Sequence, residues 1–442
     1  MNQLRYTKSQ PLPVKGFHLY NIPPTNYGIE QICWKDVPTL SGLEEGKAIE
    51  FKIPREDSYI DLQHTRLYIK AKIIKENGSD LPAPFTDPSG THDRANWNKQ
   101  HDVGPVNLWL HSLFDTAELS IENQPLERCY HYPYKSYMET MLFPYNNVKG
   151  ETELFYKDSW PGMDSTEIFG TNEGLTRRTG RAVSSTEYDM IGPLHFDICR
   201  QDRYLVKDMS VNIKLTPSEN TFNLMSNAGK CRVVITTAVL KVCRVYPTHD
   251  MEELQEKALA DYDAQYMMED THVEYFTIPK GTTDVDENNL FQGRVPLKLA
   301  FGCVEEDAFL GAYNKNPYNF LHSNVSEVGV FLNNSYVPYN LFKPKFEDGH
   351  INSAEAYCSM FSDDQGKQIT HDEFDHGFTL FNFTLREIPY TDGTIEASKR
   401  GNCSIHMRFA KPTTKTLKLV VMTKFQRVLE INKDRNITEV KY

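Results

Sequence analysis

No stretch of this 442-residue chain holds the roughly 18 consecutive apolar residues that a bilayer-spanning helix needs. The opening "MNQLRYTKSQPLPVKGFHLY" lacks an apolar core of signal-peptide length, which predicts a chain made in the cytosol with no membrane span. Positive charge is not in excess. The 48 basic residues are outnumbered by 60 acidic ones, a net charge of −12, which argues against a surface whose main task is gripping nucleic acid. Cysteine spacing is equally uninformative for metals, because the eight cysteines (33, 129, 199, 231, 243, 303, 358 and 403) include no C-x-x-C pair and several fall in apparent strands. They read as reduced, mostly buried thiols rather than zinc ligands or a disulfide frame.

Motifs for catalysis are missing too. There is no G-x-S-x-G, no Walker-type loop and no G-x-G-x-x-G. A cupin-type metal site places imidazoles at i and i+2 of one strand, and none of the 14 histidines has another two residues away. The cluster "THDEFDH" (370–376) reads as a solvated loop or helix start. "TTDVDENN" (282–289) opens like a calcium loop but has Asn289 and Val295 where Gly and Glu are required, so an acidic surface connection fits better. His111-Ser112 and His322-Ser323, read as strand neighbours, point to opposite faces and cannot act as a base and nucleophile. No catalytic, cofactor-binding or metal residue is expected. The densest basic patch, "LTRRTGR", places Arg177, Arg178 and Arg181 on an apparent loop, where they are candidates for contact with an acidic neighbouring subunit or with nucleic acid.

What the chain does have is repetition. "WLHSLFDTAELSIENQPL" (109–126) is answered by "FLHSNVSEVGVFLNNSYVP" (320–338), with Leu110 on Leu321, Ala117 on Val328, Leu119 on Val330 and Asn123 on Asn334. Six further pairs follow the same order: 49–54 with 274–279, "TRLYIKAKI" (65–73) with "PLKLAFG" (296–302), 134–142 with 353–361, 194–198 with 380–385, 211–215 with 404–410, and 231–245 with 417–431. Most alternate apolar and polar residues as half-buried strands do. The spacing between partners shrinks along the chain, so the first copy carries longer loops, at 77–105 and 143–192, and these are expected on the surface. Between the copies "THDMEELQEKALADYDAQYMM" (248–268) is strongly helical, with Asp250 and Glu253 at capping-box spacing and Leu254, Ala258 and Tyr262 along one side.

The expected architecture is therefore all-β: an arm (1–44), a first sandwich (45–247), a helical linker (248–269), a second sandwich (270–432) and a tail (433–442), with seven or eight antiparallel strands in each sandwich. Strand count favours a jelly roll, but spacing alone leaves an immunoglobulin-like sandwich open.

"GPLHFDICRQDRYL" (192–205), "NPYNFLHSNVSEVGVFLNN" (316–334), "AYCSMF" (356–361) and "MRFAKPTTKTLKLVVMTKFQRVLEINKDRN" (407–436) resemble the major capsid proteins of Maverick or Polinton-type elements and adintoviruses. The resemblance runs from about residue 45 to 436 and excludes the arm and the loop 77–105. It implies a double jelly roll of two eight-stranded sandwiches that forms a homotrimer, a six-cornered capsomer tiling an icosahedral shell around double-stranded DNA. Implied partners are neighbouring capsomers and a vertex (penton) protein, with packaged DNA met only indirectly, and the implied location is the virion. Two rivals come from other classes: a tandem sandwich that binds carbohydrate or a receptor, and a two-domain cupin-like metal enzyme.

Overall fold

The computed structural model describes residues 27–81, 103–143, 150–167, 170–333, 335–347, 350–358, 369–385 and 400–440. Most of the expected loop 77–105, Asn334 and the end of the 353–361 segment lie outside them.

The first sandwich is built from β1 (Ile29–Pro38), β2 (Ile49–Ile53), β3 (Tyr59–Lys75), β4 (Phe114–Ile121), β5 (Gln124–Cys129), β6 (Tyr188–Pro193), β7 (Val211–Pro217) and β8 (Cys231–Pro247). The second is built from β9 (Ala264–Ile278), β10 (Asp284–Leu290), β11 (Lys298–Glu305), β12 (Val325–Leu332), β13 (Ser335–Phe342), β14 (Phe381–Thr384), β15 (Cys403–Phe409) and β16 (Leu417–Ile431). The sheets of the first run β1-β8-β3-β6 and β2-β7-β4-β5; those of the second run β9-β16-β11-β14 and β10-β15-β12-β13. Adding eight to each strand of the first sandwich gives the second. Every named pairing is antiparallel, and the order is that of an eight-stranded jelly roll, now observed twice.

Register agrees with the repeat at its clearest point. Ala117, Leu119 and Ile121 of β4 stand opposite Leu215, Ile213 and Val211, while Val328, Val330 and Leu332 of β12 stand opposite Met407, Ile405 and Cys403. Alternate residues of each strand face one core, so the period-two pattern was imposed by burial on one side.

Several expectations move. Residues 29–38, placed in an arm by the sequence, form β1, an edge strand paired along its length with β8. The pair 49–54 and 274–279 is not equivalent, because 49–53 is the second strand of its sandwich whereas 274–278 belongs to β9, the first. The segment 194–198 is not the sixth strand, which is 188–193; Leu194, Phe196 and Ile198 bury their side chains without joining a ladder. The shared Leu-His-Ser also diverges, since Trp109–Ser112 forms a helical turn (α1) and Leu321 makes an isolated bridge to Cys303. "TTDVDENN" supplies β10, where Asp284 pairs with Arg408 and Asp286 with His406. The tail returns as β17 (Ile437–Val440) beside β16.

The connecting helix spans His249–Asp261, shorter than expected, and β9 begins at Ala264. Its N-cap is Thr248 rather than Asp250, and the Thr248 hydroxyl donates to the Tyr27 carbonyl at 2.7 Å instead of capping the helix. The helix buries no residue; Leu254 and Tyr262 are 60 % and 77 % exposed. Lys207, bonded to Glu252 and Glu256, holds it to the first sandwich.

Candidate functional site

The two sandwiches share a deep seam built around α2 (Tyr132–Leu142), which follows β5. Pro133 lies in its first turn, where a missing N–H costs nothing, and the helix is buried along almost its whole length. Tyr132 belongs to the core of the first sandwich, whereas Tyr134, Tyr137, Met138 and Met141 join the core of the second. The Tyr137 ring stacks on Tyr318, and the Tyr134 hydroxyl donates to the Pro317 carbonyl at 3.1 Å. Tyr318 in turn meets the Ser112 hydroxyl at 2.6 Å.

Charged groups are buried in the same seam. Glu139, fully buried, accepts from His195 Nδ1 and Arg200 Nη1, each at 2.8 Å, and lies 3.5 Å from Lys424 Nζ of β16. Burial alone would raise this carboxyl, but Arg200, Lys424 and the His195 bond together hold it well below the usual carboxylate range. Lys424 also meets Glu269 at 2.6 Å and, with Lys298, overcomes burial to bring that carboxyl down to about 2. Lys135 Nζ lies 3.1 Å from Asp197, whose carboxylate accepts the Thr271 N–H and hydroxyl of β9, both at 2.7 Å. Glu127 accepts the backbone N–H groups of Asp197 and Ile198, while burial and the Asp197 charge push it up to about 7. Each of these ions has a partner, which buried charge demands.

A second clamp comes from the long connection between β5 and β6, expected as surface loop. Within it Leu154, Met163 and Leu175 are buried, Lys157 pairs with Glu373 at 2.7 Å, and Asp164 accepts from Lys315 Nζ and Asn316 N at 3.1 and 3.0 Å. The basic triplet lies here, on helix α3 (Glu173–Arg181) rather than a loop; Asn172 caps it by accepting the Leu175 N–H. Arg178 is fully buried, paired with Asp158 at 2.5 Å and donating to the Pro105 carbonyl at 2.9 Å, so it cannot meet another molecule. Arg177 and Arg181 are exposed. The spacing of three charges gave no sign of this division, because Asp158 lies 20 residues away.

Of the other candidates, "THDEFDH" starts a helical turn whose capping box joins Thr370 and Glu373. His111 and Ser112 do not act together: Ser112 donates to backbone carbonyls of Asn107 and Leu108, while His111 turns toward Tyr132 and Glu153. His111, Glu153 and His195 do come together, one possible ligand atom from each lying within 4.8 Å of the others, all buried. Burial and the adjacent His111 bring His195 down to about 4, so its ring is neutral at pH 7. All eight cysteines are free; Cys33 is half-buried, Cys358 exposed and the other six buried. Among the described residues no helix is long and apolar enough to cross a membrane.

No protein-family model matches the chain. An uncharacterised protein of Caenorhabditis elegans is 24 % identical over 443 residues, covering 94 % of this chain and 98 % of that protein. Among solved structures, a chain of the Sputnik virophage cryo-EM structure aligns with TM-score 0.61 and 11 % identity, covering 100 % of this chain and 94 % of its own. The Faustovirus major capsid protein aligns at 0.57 with 10 % identity, covering 93 % and 92 %, and the mavirus major capsid protein at 0.52 with 10 % identity, covering 100 % and 97 %. The chain has the double jelly-roll fold of viral major capsid proteins. At these identities the likeness is one of architecture, and it extends over both sandwiches.

Proposed function

We propose that the protein is a major capsid protein of the Maverick or Polinton and adintovirus kind, and that its working unit is a closed homotrimer. The observation that carries this reading is the strand order repeated exactly in both sandwiches, on a chain that aligns end to end with viral capsid chains. One chain with two similar lobes presents two corners, and three chains about a threefold axis present six. Such a tile covers a surface by hexagonal packing, and a heterologous contact between unlike lobes closes after three copies with no free end.

On this reading Trp34 and Ile32 on the edge strand β1, Leu254 on the connecting helix and Tyr262 just after it, all exposed in the single chain, are covered in the trimer or between capsomers. Arg177 and Arg181 remain contact residues for an acidic neighbour. The shell encloses double-stranded DNA, a vertex protein fills its corners, and the protein itself performs no catalysis.

Light scattering on the purified protein tests this reading. The expected mass is about three times the 51.0 kDa chain, or larger shells built from that unit and visible by electron microscopy. A stable monomer at physiological salt and micromolar concentration would overturn the proposal in favour of a tandem binding module.

A further inference from the structure

We propose that His111, Glu153 and His195 form a structural binding site for a divalent transition cation, with zinc the best chemical match. The inference is independent of the capsid reading.

The three residues come from separate parts of the first sandwich: α1, the helical turn 150–153, and the stretch following β6. All are buried, at 0 %, 4 % and 7 % exposure. His111 Nε2 lies 3.2 Å from Glu153 Oε2. Donors on neighbouring corners of a zinc tetrahedron stand about 3.3 Å apart, given metal–ligand bonds of about 2.0–2.2 Å. The remaining separations are within 4.8 Å, and a bound ion would draw the donors together. Two imidazoles and one carboxylate are a donor set suited to zinc, leaving one position for a solvent oxygen.

The surroundings favour a ligand over a simple hydrogen-bonded pair. Metal-bound histidines characteristically direct their other ring nitrogen to a carboxylate or similar partner. Here His195 Nδ1 meets the Glu139 carboxylate at 2.8 Å, and His111 Nδ1 meets the Tyr132 hydroxyl at 3.1 Å. Because Glu139 can only accept, the His195 ring proton sits on Nδ1 and its Nε2 presents a lone pair. Among the described residues Nε2 receives no hydrogen bond. A His111–Glu153 contact alone leaves that lone pair unused, whereas a cation uses it. Tyr132 reinforces the arrangement by also accepting the His195 backbone N–H at 3.1 Å, so one hydroxyl orients both histidines.

The bound ion would fasten α1, the start of the clamp and the segment after β6 to one another, immediately beside the Glu139–Lys424 contact of the seam. Its burial implies capture during folding and slow release to chelators.

The test uses the full chain, produced with added zinc and purified without chelator. Elemental analysis should find about one zinc per chain, and about tenfold less in Glu153→Gln and His195→Gln. Prolonged chelation should lower the unfolding midpoint of the wild-type protein and leave those of the two variants unmoved. Should either variant fold poorly, the cobalt-substituted wild-type protein provides the second measurement: two sets of hyperfine-shifted imidazole proton signals by NMR. Less than about a tenth of an equivalent of zinc in the wild-type protein, equal zinc in both variants, or no shifted imidazole signals would each overturn the proposal.

Discussion

The ring of Tyr137 lies flat against that of Tyr318, centroids 4.0 Å apart and planes 3° from parallel. One ring comes from the helix after β5 and the other from the loop before β12, so this stack joins the two sandwiches. Their hydroxyls are treated differently. Tyr318 Oη is bonded to Ser112, whereas Tyr137 Oη is buried with no hydrogen-bond partner among the described residues.

These two tyrosines should therefore respond in opposite ways. Tyr318→Phe removes the hydroxyl bonded to Ser112 and should cost about 0.5–1.5 kcal/mol. Tyr137→Phe removes an unsatisfied hydroxyl and should leave stability within about 0.5 kcal/mol or raise it. Urea unfolding of both variants is the measurement; a Tyr137→Phe loss as large as that of Tyr318→Phe would contradict the assignment.

The three arginines of α3 divide similarly. Arg178→Ala strands Asp158 in the interior and should cost about 3–5 kcal/mol. Arg177→Ala and Arg181→Ala should change stability by less than about 0.5 kcal/mol, and on the proposed capsid reading their effect is on assembly. Thermal melts compared with light scattering separate the two behaviours.

Leu419 in β16 is fully buried, opposite Phe276 and Cys303. Leu419→Asp places an unpaired charge in the second core and should cost more than about 4 kcal/mol, seen as a collapse of the thermal midpoint or insoluble expression. A soluble variant with an unchanged midpoint would mean that this face of β16 is not core.

Acid should loosen the seam through Glu269. Its folded value of about 2 lies below the roughly 4.3 of an unfolded glutamate, so its contribution is complete above that value and is lost as pH falls toward 2. A third of the side chain reaches solvent, which screens the Lys424 pair and limits the contribution to about 1–2 kcal/mol. Glu269→Gln should be less stable than wild type at pH 7, with the gap narrowing between pH 4.3 and 2. A gap that persists unchanged at low pH would assign the loss to packing instead.

Strands lining a core on one face were legible in the sequence, and strands at an edge were not. β4 and β7 were found with their counterparts because burial spaces most of their apolar residues by two. β1 was missed because only Ile29, Cys33 and Val37 are even half-buried, one residue in four, which leaves no alternation to read. "IEFKIP" and "EYFTIP" were mismatched because Phe-x-Ile-Pro fits any strand ending at a turn. "LHFDI" alternates correctly and buries Leu194, Phe196 and Ile198, yet covers the sheet instead of extending it. The seam had no sequence signature, since a charge pair such as Glu139 and Lys424 is separated by 285 residues and nothing local marks it. His111, Glu153 and His195 likewise carry no local signature, because 42 residues separate the first two and only folding brings them together.

That separation also sets an order of events during synthesis. Helix α2 leaves the ribosome with its aromatic face uncovered, and its partner Lys424 follows 285 residues later. At about 5–20 residues per second the wait is roughly 15–60 seconds. For most of that interval Tyr134 and Tyr137 lack their partners Pro317 and Tyr318, the first of which follows 183 residues after Tyr134, and the nascent first half presents an adhesive surface. The joint that holds the finished molecule together is thus its period of greatest exposure to aggregation, and the point at which a folding helper would matter most.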